Sequence, residues 1–170
     1  KGGEGGDQLN GGDGFDTVDY SDAASQISVT VGSPSGSQPG AAAGDSFTGI
    51  EGIIGTAFND VLTGAAGNDS LSGGAGDDTL SGGAGADRID GGDGNDRLQY
   101  ISSNAGVNIN LLTGEASGGV AEGDVLTSIE FVLGSNGFND VLIGNAAQNS
   151  LSGGGGNDVI GAVGGFDALT

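Results

Sequence analysis

The side chains able to do chemistry in this chain are aspartates, and they recur every nine residues. Asp60, Asp69, Asp78, Asp87 and Asp96 form an unbroken series, each followed two residues later by a large aliphatic: Leu62, Leu71, Leu80, Ile89 and Leu98. Cysteine and histidine are absent. That excludes disulfides, thiolate or imidazole metal sites, and nucleophile systems of the Ser-His or Cys-His kind. Oxygen is the one ligand type left for a metal. Paired aspartates also serve acid-base catalysis, as in glycosidases. Here they repeat with the period of the chain, which a single active site does not require, so the expectation is that the segment is not an enzyme.

Composition sets the problem those aspartates pose. The 170 residues include 40 glycines and 23 acidic residues, against Lys1, Arg88 and Arg97 as the cations, for a formal net charge of −20. Nucleic acid and anionic membrane surfaces are therefore poor partners. Hydrophobic residues make up 35% of the chain and aromatics 5%, few bulky groups for a globular core, and the charge favours an expanded chain until it is neutralised. Methionine and tryptophan are missing as well. No apolar run is long enough for a membrane span and no signal peptide is visible. Opening on Lys1, the sequence reads as a piece of a larger protein that begins and ends inside a repeat array.

The elements that must position the aspartates follow from the repeat itself. Residues 73–99 divide into GGAGDDTLS, GGAGADRID and GGDGNDRLQ, with glycine at positions one, two and four, aspartate at six and an aliphatic at eight. The same ruler places Asp7 with Leu9 and Asp16 with Val18 near the start. Near the end it places Asp140 with Leu142, Asn149 with Leu151, Asp158 with Ile160 and Asp167 with Leu169. The blocks are 2–19, 55–99 and 135–170, separated by insertions at 20–54 and 100–134. Asp16 to Asp60 and Asp96 to Asp140 are both 44 residues. The insertions also resemble each other: Ile27, Val29 and Val31 match Val107, Ile109 and Leu111, and Ile50-Glu51 matches Ile129-Glu130. The chain thus contains a superrepeat of about 80 residues, as expected of one continuous solenoid over 1–170.

In each nonapeptide the glycines allow a tight turn whose carbonyls point inward. The triplet that follows is β-prone and puts one aliphatic on one face. Two nonapeptides make one coil, and stacked coils bury the position-eight row between two parallel sheets. Carboxylates on successive turns of one edge then sit roughly 4.7–4.9 Å apart and repel. A divalent cation reverses that sign. Ca²⁺ takes about six to eight oxygens, backbone carbonyls included, in forgiving geometry, whereas Mg²⁺ demands a tight octahedron and keeps its waters.

With that pattern the array resembles the RTX (repeats-in-toxin, haemolysin-type) nonapeptide β-roll. The resemblance implies an all-β, right-handed parallel β-roll with several Ca²⁺ ions in its turns, each between turn n and turn n+2. It pairs Gly73, Gly74, Ala75, Gly76 and Asp78 with Gly91, Gly92, Asp93, Gly94 and Asp96 on one edge. On the other it pairs Gly64, Ala65, Ala66, Gly67 and Asp69 with Gly82, Gly83, Ala84, Gly85 and Asp87. Further candidate ligands are Asp7, Asp16, Asp60, Asp140, Asn149, Gly153, Gly154, Gly155, Gly156, Asp158 and Asp167. Phe58 and Phe138 replace the position-four glycine, Asn149 replaces an aspartate, and Ala162-Val163 replace glycines, so these turns are expected to bind more weakly.

The insertions read either as longer solenoid turns without nonapeptide metal sites or as loops or lobes on one face, with Pro34 and Pro39 favouring a loop. Asp45 and Asp124 read as solvated turn residues, with metal binding as the alternative. Phe15, Phe58, Phe138 and Phe166 are expected to shield the ends of the apolar ladder rather than stack on sugars. Arg88 and Arg97 should lie on opposite sheets. The resemblance implies a calcium-induced folding and structural module of a secreted or cell-surface bacterial protein, exported by type I secretion. The alternative is a polysaccharide-binding or adhesive accessory module.

Overall fold

A computed structural model describes residues 5–31 and 40–170; Pro34 and Pro39 lie outside the described residues. The β-prone triplets become strands: β1 (Gln8–Asn10), β2 (Thr17–Asp19), β3 (Ser28–Thr30), β4 (Ser46–Thr48), β5 (Gly52–Ile54), β6 (Val61–Thr63), β7 (Ser70–Ala75), β8 (Thr79–Ser81) and β9 (Arg88–Asp93). They continue as β10 (Arg97–Gln99), β11 (Asn108–Asn110), β12 (Glu115–Ser117), β13 (Val125–Thr127), β14 (Phe131–Leu133), β15 (Val141–Ile143), β16 (Ser150–Ser152), β17 (Val159–Gly161) and β18 (Ala168–Leu169). Among the described residues a single 3-10 turn, Gly119–Ala121, interrupts the second insertion.

The strands alternate between two sheets. One is seven-stranded in the order β18-β16-β14-β10-β8-β6-β3, the other nine-stranded in the order β17-β15-β11-β12-β13-β9-β7-β5-β2, and β1 pairs with β4 apart from both. The fold is an all-β roll. Neighbours in the nonapeptide blocks are parallel and one coil apart, Leu62 on Leu80 and Leu71 on Ile89. Between the sheets runs the core predicted from position eight. Leu62, Leu80, Leu98, Val132 and Leu151 come from one sheet, and Ile53, Leu71, Ile89, Leu126, Ile109 and Leu142 from the other, all buried. Each such side chain removes roughly 1.5–3 kcal/mol worth of apolar surface from water. At the edge strand β18 the row ends and Leu169 is exposed.

Both insertions supply strands to the sheets. β3 pairs with β6 and β4 with β1. In the second copy β11 pairs with β15 and β13 with β9, and β12 runs antiparallel between β11 and β13. Equivalent strands one superrepeat apart lie in opposite sheets: β2, β5 and β7 in the nine-stranded sheet, β10, β14 and β16 in the seven-stranded one. Arg88 and Arg97 fall on opposite sheets as well, in β9 and β10.

Two expectations need correction. Asp45 and Asp124 are buried, not solvated, because their side chains hydrogen-bond inside the roll. Phe15, Phe58, Phe138 and Phe166 are all exposed. They stand in the turns outside the sheets, where the ladder of strand side chains is already closed by its own neighbours. Of the two readings of the insertions the longer solenoid turn is the one seen, since each continues the strand ladder.

Candidate metal centre

The position-six aspartate immediately precedes its strand, so stacking the strands stacks the carboxylates. In each pair the aspartate of the later coil accepts the backbone N–H of the position-six residue one coil earlier. Asp60 N–H donates to Asp78 Oδ1 at 2.7 Å, Asp78 N–H to Asp96 Oδ1 at 2.8 Å and Asp69 N–H to Asp87 Oδ1 at 2.9 Å. The final block repeats this with Asp140 N–H on Asp158 and Asn149 N–H on Asp167, at 2.9 and 2.8 Å.

A second ladder, which the sequence reading missed, runs outside the first in the opposite sense. At position five the earlier side chain accepts the later N–H: Asn59 Oδ1 from Asp77, Asn68 Oδ1 from Ala86, Asp77 Oδ1 from Asn95 and Asn139 Oδ1 from Asn157. The recurrent Asn-Asp dipeptides at 59–60, 68–69, 95–96, 139–140 and 157–158 were its visible signal. Two opposed ladders clamp the coil pairs of Asp60 with Asp78, Asp69 with Asp87, Asp78 with Asp96 and Asp140 with Asp158.

The pairings implied by the resemblance are brought together. On one edge Gly74 registers with Gly92 and Ala75 with Asp93, and Gly76 N–H reaches Asp93 O at 2.9 Å. On the other, Gly64 N–H donates to Ser81 O, Ala84 N–H to Ala65 O and Gly67 N–H to Ala84 O. In the final block Asn136 bridges to Gly155. Asp7 and Asp16 do not meet a second repeat aspartate. Their N–H groups donate instead to Asp45 Oδ1 at 2.8 Å and Glu51 Oε2 at 3.0 Å, both in the first insertion.

Glu51 and Glu130 were missed as ladder members. Glu130 accepts the Asp96 N–H at 2.9 Å as Glu51 accepts that of Asp16. Counting nine back from Asp60 lands on Glu51, and nine back from Leu62 on Ile53, so the ruler already reached into the insertion. Asp124 was legible too, since Asp124-Val125-Leu126-Thr127 repeats Asp60-Val61-Leu62-Thr63.

What the turns hold depends on position two. Where it is Thr56 or Ala65, its N–H donates to Oδ2 of Asp60 or Asp69 at 2.6 or 2.7 Å, and in the 135–143 turn the position-one Ser135 N–H donates to Asp140 Oδ2 at 2.7 Å. Where it is Gly74, Gly83 or Gly92, φ is +107°, +103° or +102°. In those three turns Oδ2 of Asp78, Asp87 and Asp96 is buried with no hydrogen-bond partner. A buried carboxylate oxygen without a donor is costly. Burial accordingly pushes Asp78 up to about 7 and Asp87 to about 6, opposed by the N–H groups of Asp60 and Asp69 and reinforced by neighbouring carboxylates. Burial also raises Asp60, Asp69 and Asp96.

These orphaned oxygens stand beside a carbonyl cradle that only glycine leaves open. A Cβ on Gly92 or Gly94 would lie 2.0 or 1.9 Å from the carbonyl oxygens of Gly74 or Gly76, and one on Gly83 or Gly85 would lie 2.1 Å from that of Ala65 or Gly67. Among the described residues no three acidic side chains converge, so a cation here draws most of its ligands from backbone carbonyls. Two carboxylates plus glycine carbonyls form the hard oxygen set that suits Ca²⁺. A family model of the RTX calcium-binding nonapeptide repeat matches four times, at residues 1–19, 47–80, 64–98 and 135–169, over more than half of the chain. The chain belongs to the RTX calcium-binding nonapeptide repeat family. No curated protein matches it. The RTX match that starts at residue 47 takes in β5 and Glu51. In the RTX turn of Asn149, Oδ1 accepts the Asn145 N–H at 2.8 Å and the buried Nδ2 has no partner. RTX nonapeptides are structural calcium-binding units, and Ca²⁺ is the ion of this array.

Proposed function

We propose that this calcium-binding structural module is a calcium-driven folding unit, continuous over 1–170, of a secreted or cell-surface bacterial protein exported unfolded by type I secretion. The observation that carries this reading is the set of unpartnered buried Oδ2 atoms on Asp78, Asp87 and Asp96. Asp78 and Asp96, with carbonyls of 73–76 and 91–94, would hold calcium on one edge. Asp69 and Asp87, with carbonyls of 64–67 and 82–85, would hold it on the other. The ion supplies positive charge and inner-sphere ligation for oxygens that the fold itself leaves unpaired. The remaining aspartates recur with the coil and carry no catalytic role.

A ligand that binds only the folded chain adds its binding free energy to folding. Extracellular calcium modules bind at about 10⁻⁴ to 10⁻³ M, which suits a chain that stays expanded inside a cell and folds outside. Proteins of this family are typically secreted. Among the described residues no helix is long and apolar enough to cross a membrane. The test is far-UV circular dichroism in EGTA, then with Ca²⁺, then with Mg²⁺ in its place. Most of the β signal is expected to vanish in EGTA, return with calcium and stay absent with magnesium. An unchanged β spectrum in EGTA sinks the reading.

One observation favours the polysaccharide reading as a second. Phe58 and Phe138, equivalent in the two copies, are 43% and 41% exposed, and such faces can stack on sugar rings. In that reading an anionic polysaccharide titrated at fixed calcium binds the wild type and binds the Phe58→Ala/Phe138→Ala variant more weakly. Absence of binding leaves the folding module alone.

A further inference from the structure

The ladder's buried acids fall into two classes, and the division follows the superrepeat. In the glycine-glycine turns Asp78, Asp87 and Asp96 each leave an oxygen without a donor. Among the described residues of the insertions none is left. The Tyr100 hydroxyl donates to Asp124 Oδ2 at 2.8 Å while Asp124 Oδ1 accepts the Asp87 N–H at 2.8 Å. In the other copy the Tyr20 hydroxyl donates to Asp45 Oδ2 and Asp45 Oδ1 accepts the Asp7 N–H.

The far boundary of each insertion is closed the same way. Asp60 takes the Ile27 N–H and the Thr56 hydroxyl on Oδ1, and the Thr56 N–H on Oδ2. Asp140 takes the Val107 N–H and the Ser135 hydroxyl on Oδ1, and the Ser135 N–H on Oδ2. Two positions in two copies carry the same solution, a side-chain hydroxyl where the glycine turns have none.

We infer that each insertion is a calcium-independent seed: the Tyr20–Asp45 and Tyr100–Asp124 pairs, with Thr56–Asp60 and Ser135–Asp140, do by hydrogen bonding what the ion does in the glycine turns. The inference rests on the calcium-folding reading for its contrast with the nonapeptide blocks. Three features support it. Tyr20 and Tyr100 are buried in the main hydrophobic cluster with Val29, Ile109 and Leu126, so the pairs sit in dry surroundings where a hydrogen bond is strong. Burial holds both phenols above their ordinary range, which keeps them as donors. In addition, β11, β12 and β13 form an antiparallel run from nearby residues, whereas every nonapeptide pair must bring together residues a coil apart. In low calcium the insertions stay ordered and present a half-built edge, on which coils are laid down as calcium arrives.

The experiment is hydrogen exchange by mass spectrometry on the full 170-residue chain in EGTA and in Ca²⁺, for wild type and Tyr100→Phe. In EGTA, wild-type amides of β11, β12 and β13 are expected to exchange at least about tenfold more slowly than those of β7 and β9. Tyr100→Phe is expected to erase that protection in the second insertion by about tenfold, the scale for a buried carboxylate stripped of its donor. The first insertion, with Tyr20 intact, should keep its protection and show that the variant has not simply failed to fold. Insertions that exchange as fast as unprotected blocks in wild-type EGTA samples overturn the seed. So does a Tyr100→Phe profile identical to wild type, and this arm stays decisive even if the blocks remain protected in EGTA, the result that instead removes the calcium-folding reading.

Discussion

Gly92→Ala should weaken the calcium-loaded fold by roughly 2–5 kcal/mol, a large share of the 5–15 kcal/mol typical of a domain. Two costs combine. Gly92 sits at φ +102°, where an L side chain is strained. Its Cβ would also fall 2.0 Å from Gly74 O and 2.9 Å from Gly74 C, backbone atoms held by the β7–β9 register. Neither strand can retreat without opening the ladder that aligns Asp78 with Asp96. Gly67→Ala is the control. It has the same class of backbone, φ +123°, and open space around the new methyl, so it meets only the conformational cost of about 1–2 kcal/mol. Urea unfolding at saturating calcium compares them, and equal losses would show that the close approach of the two turns contributes nothing.

Acid should do part of what calcium does. Asp78 and Asp87 are raised to about 7 and about 6 by burial, whereas an unfolded aspartate titrates near 3.9. The fold therefore favours the protonated forms. Their contribution is fully present below about pH 4 and is lost as pH rises through 6 and 7. The calcium-free chain is expected to hold more β structure at pH 5 than at pH 7.5. Calcium affinity runs the other way, because the ion needs the deprotonated oxygens, so more calcium should be required at pH 5.5 than at 7.5. Far-UV circular dichroism in calcium-free buffer and calcium titrations, both across pH 4.5–8, measure the two slopes. A calcium-free stability that climbs with pH contradicts the orphaned-carboxylate account.

Much of the roll was legible because one short unit carries all of its instructions. Leu80 and Ile89 announce the core, Gly83 and Gly92 the turns, and Asp78 and Asp87 the edge, all within nine residues that repeat in register. What escaped lay where register slips. Asp124 is preceded by Gly123 rather than by an Asn-Asp dipeptide, and Glu130 stands ten residues before Asp140 rather than nine, so neither was counted with the ladder. Burial of Asp45 and Asp124 was hidden for another reason. An aspartate reads as solvent-facing until its partner is known, and Tyr20 and Tyr100 lie 25 and 24 residues away in sequence. The phenylalanines show the converse, since a large apolar residue beside a turn suggests shelter and finds none outside a core only two sheets thick.

The exchange of sheets between equivalent strands sets how such units join. Because β2 and its counterpart β10 lie in opposite sheets, one superrepeat advances the chain by a half-integral number of coils. The pair is related by a screw operation, not a simple translation. The first insertion thus adds its β3 to one side of the roll and the second its β11 to the other. Surfaces carried by the insertions alternate left and right along its length, and two units are needed before any one of them recurs in phase.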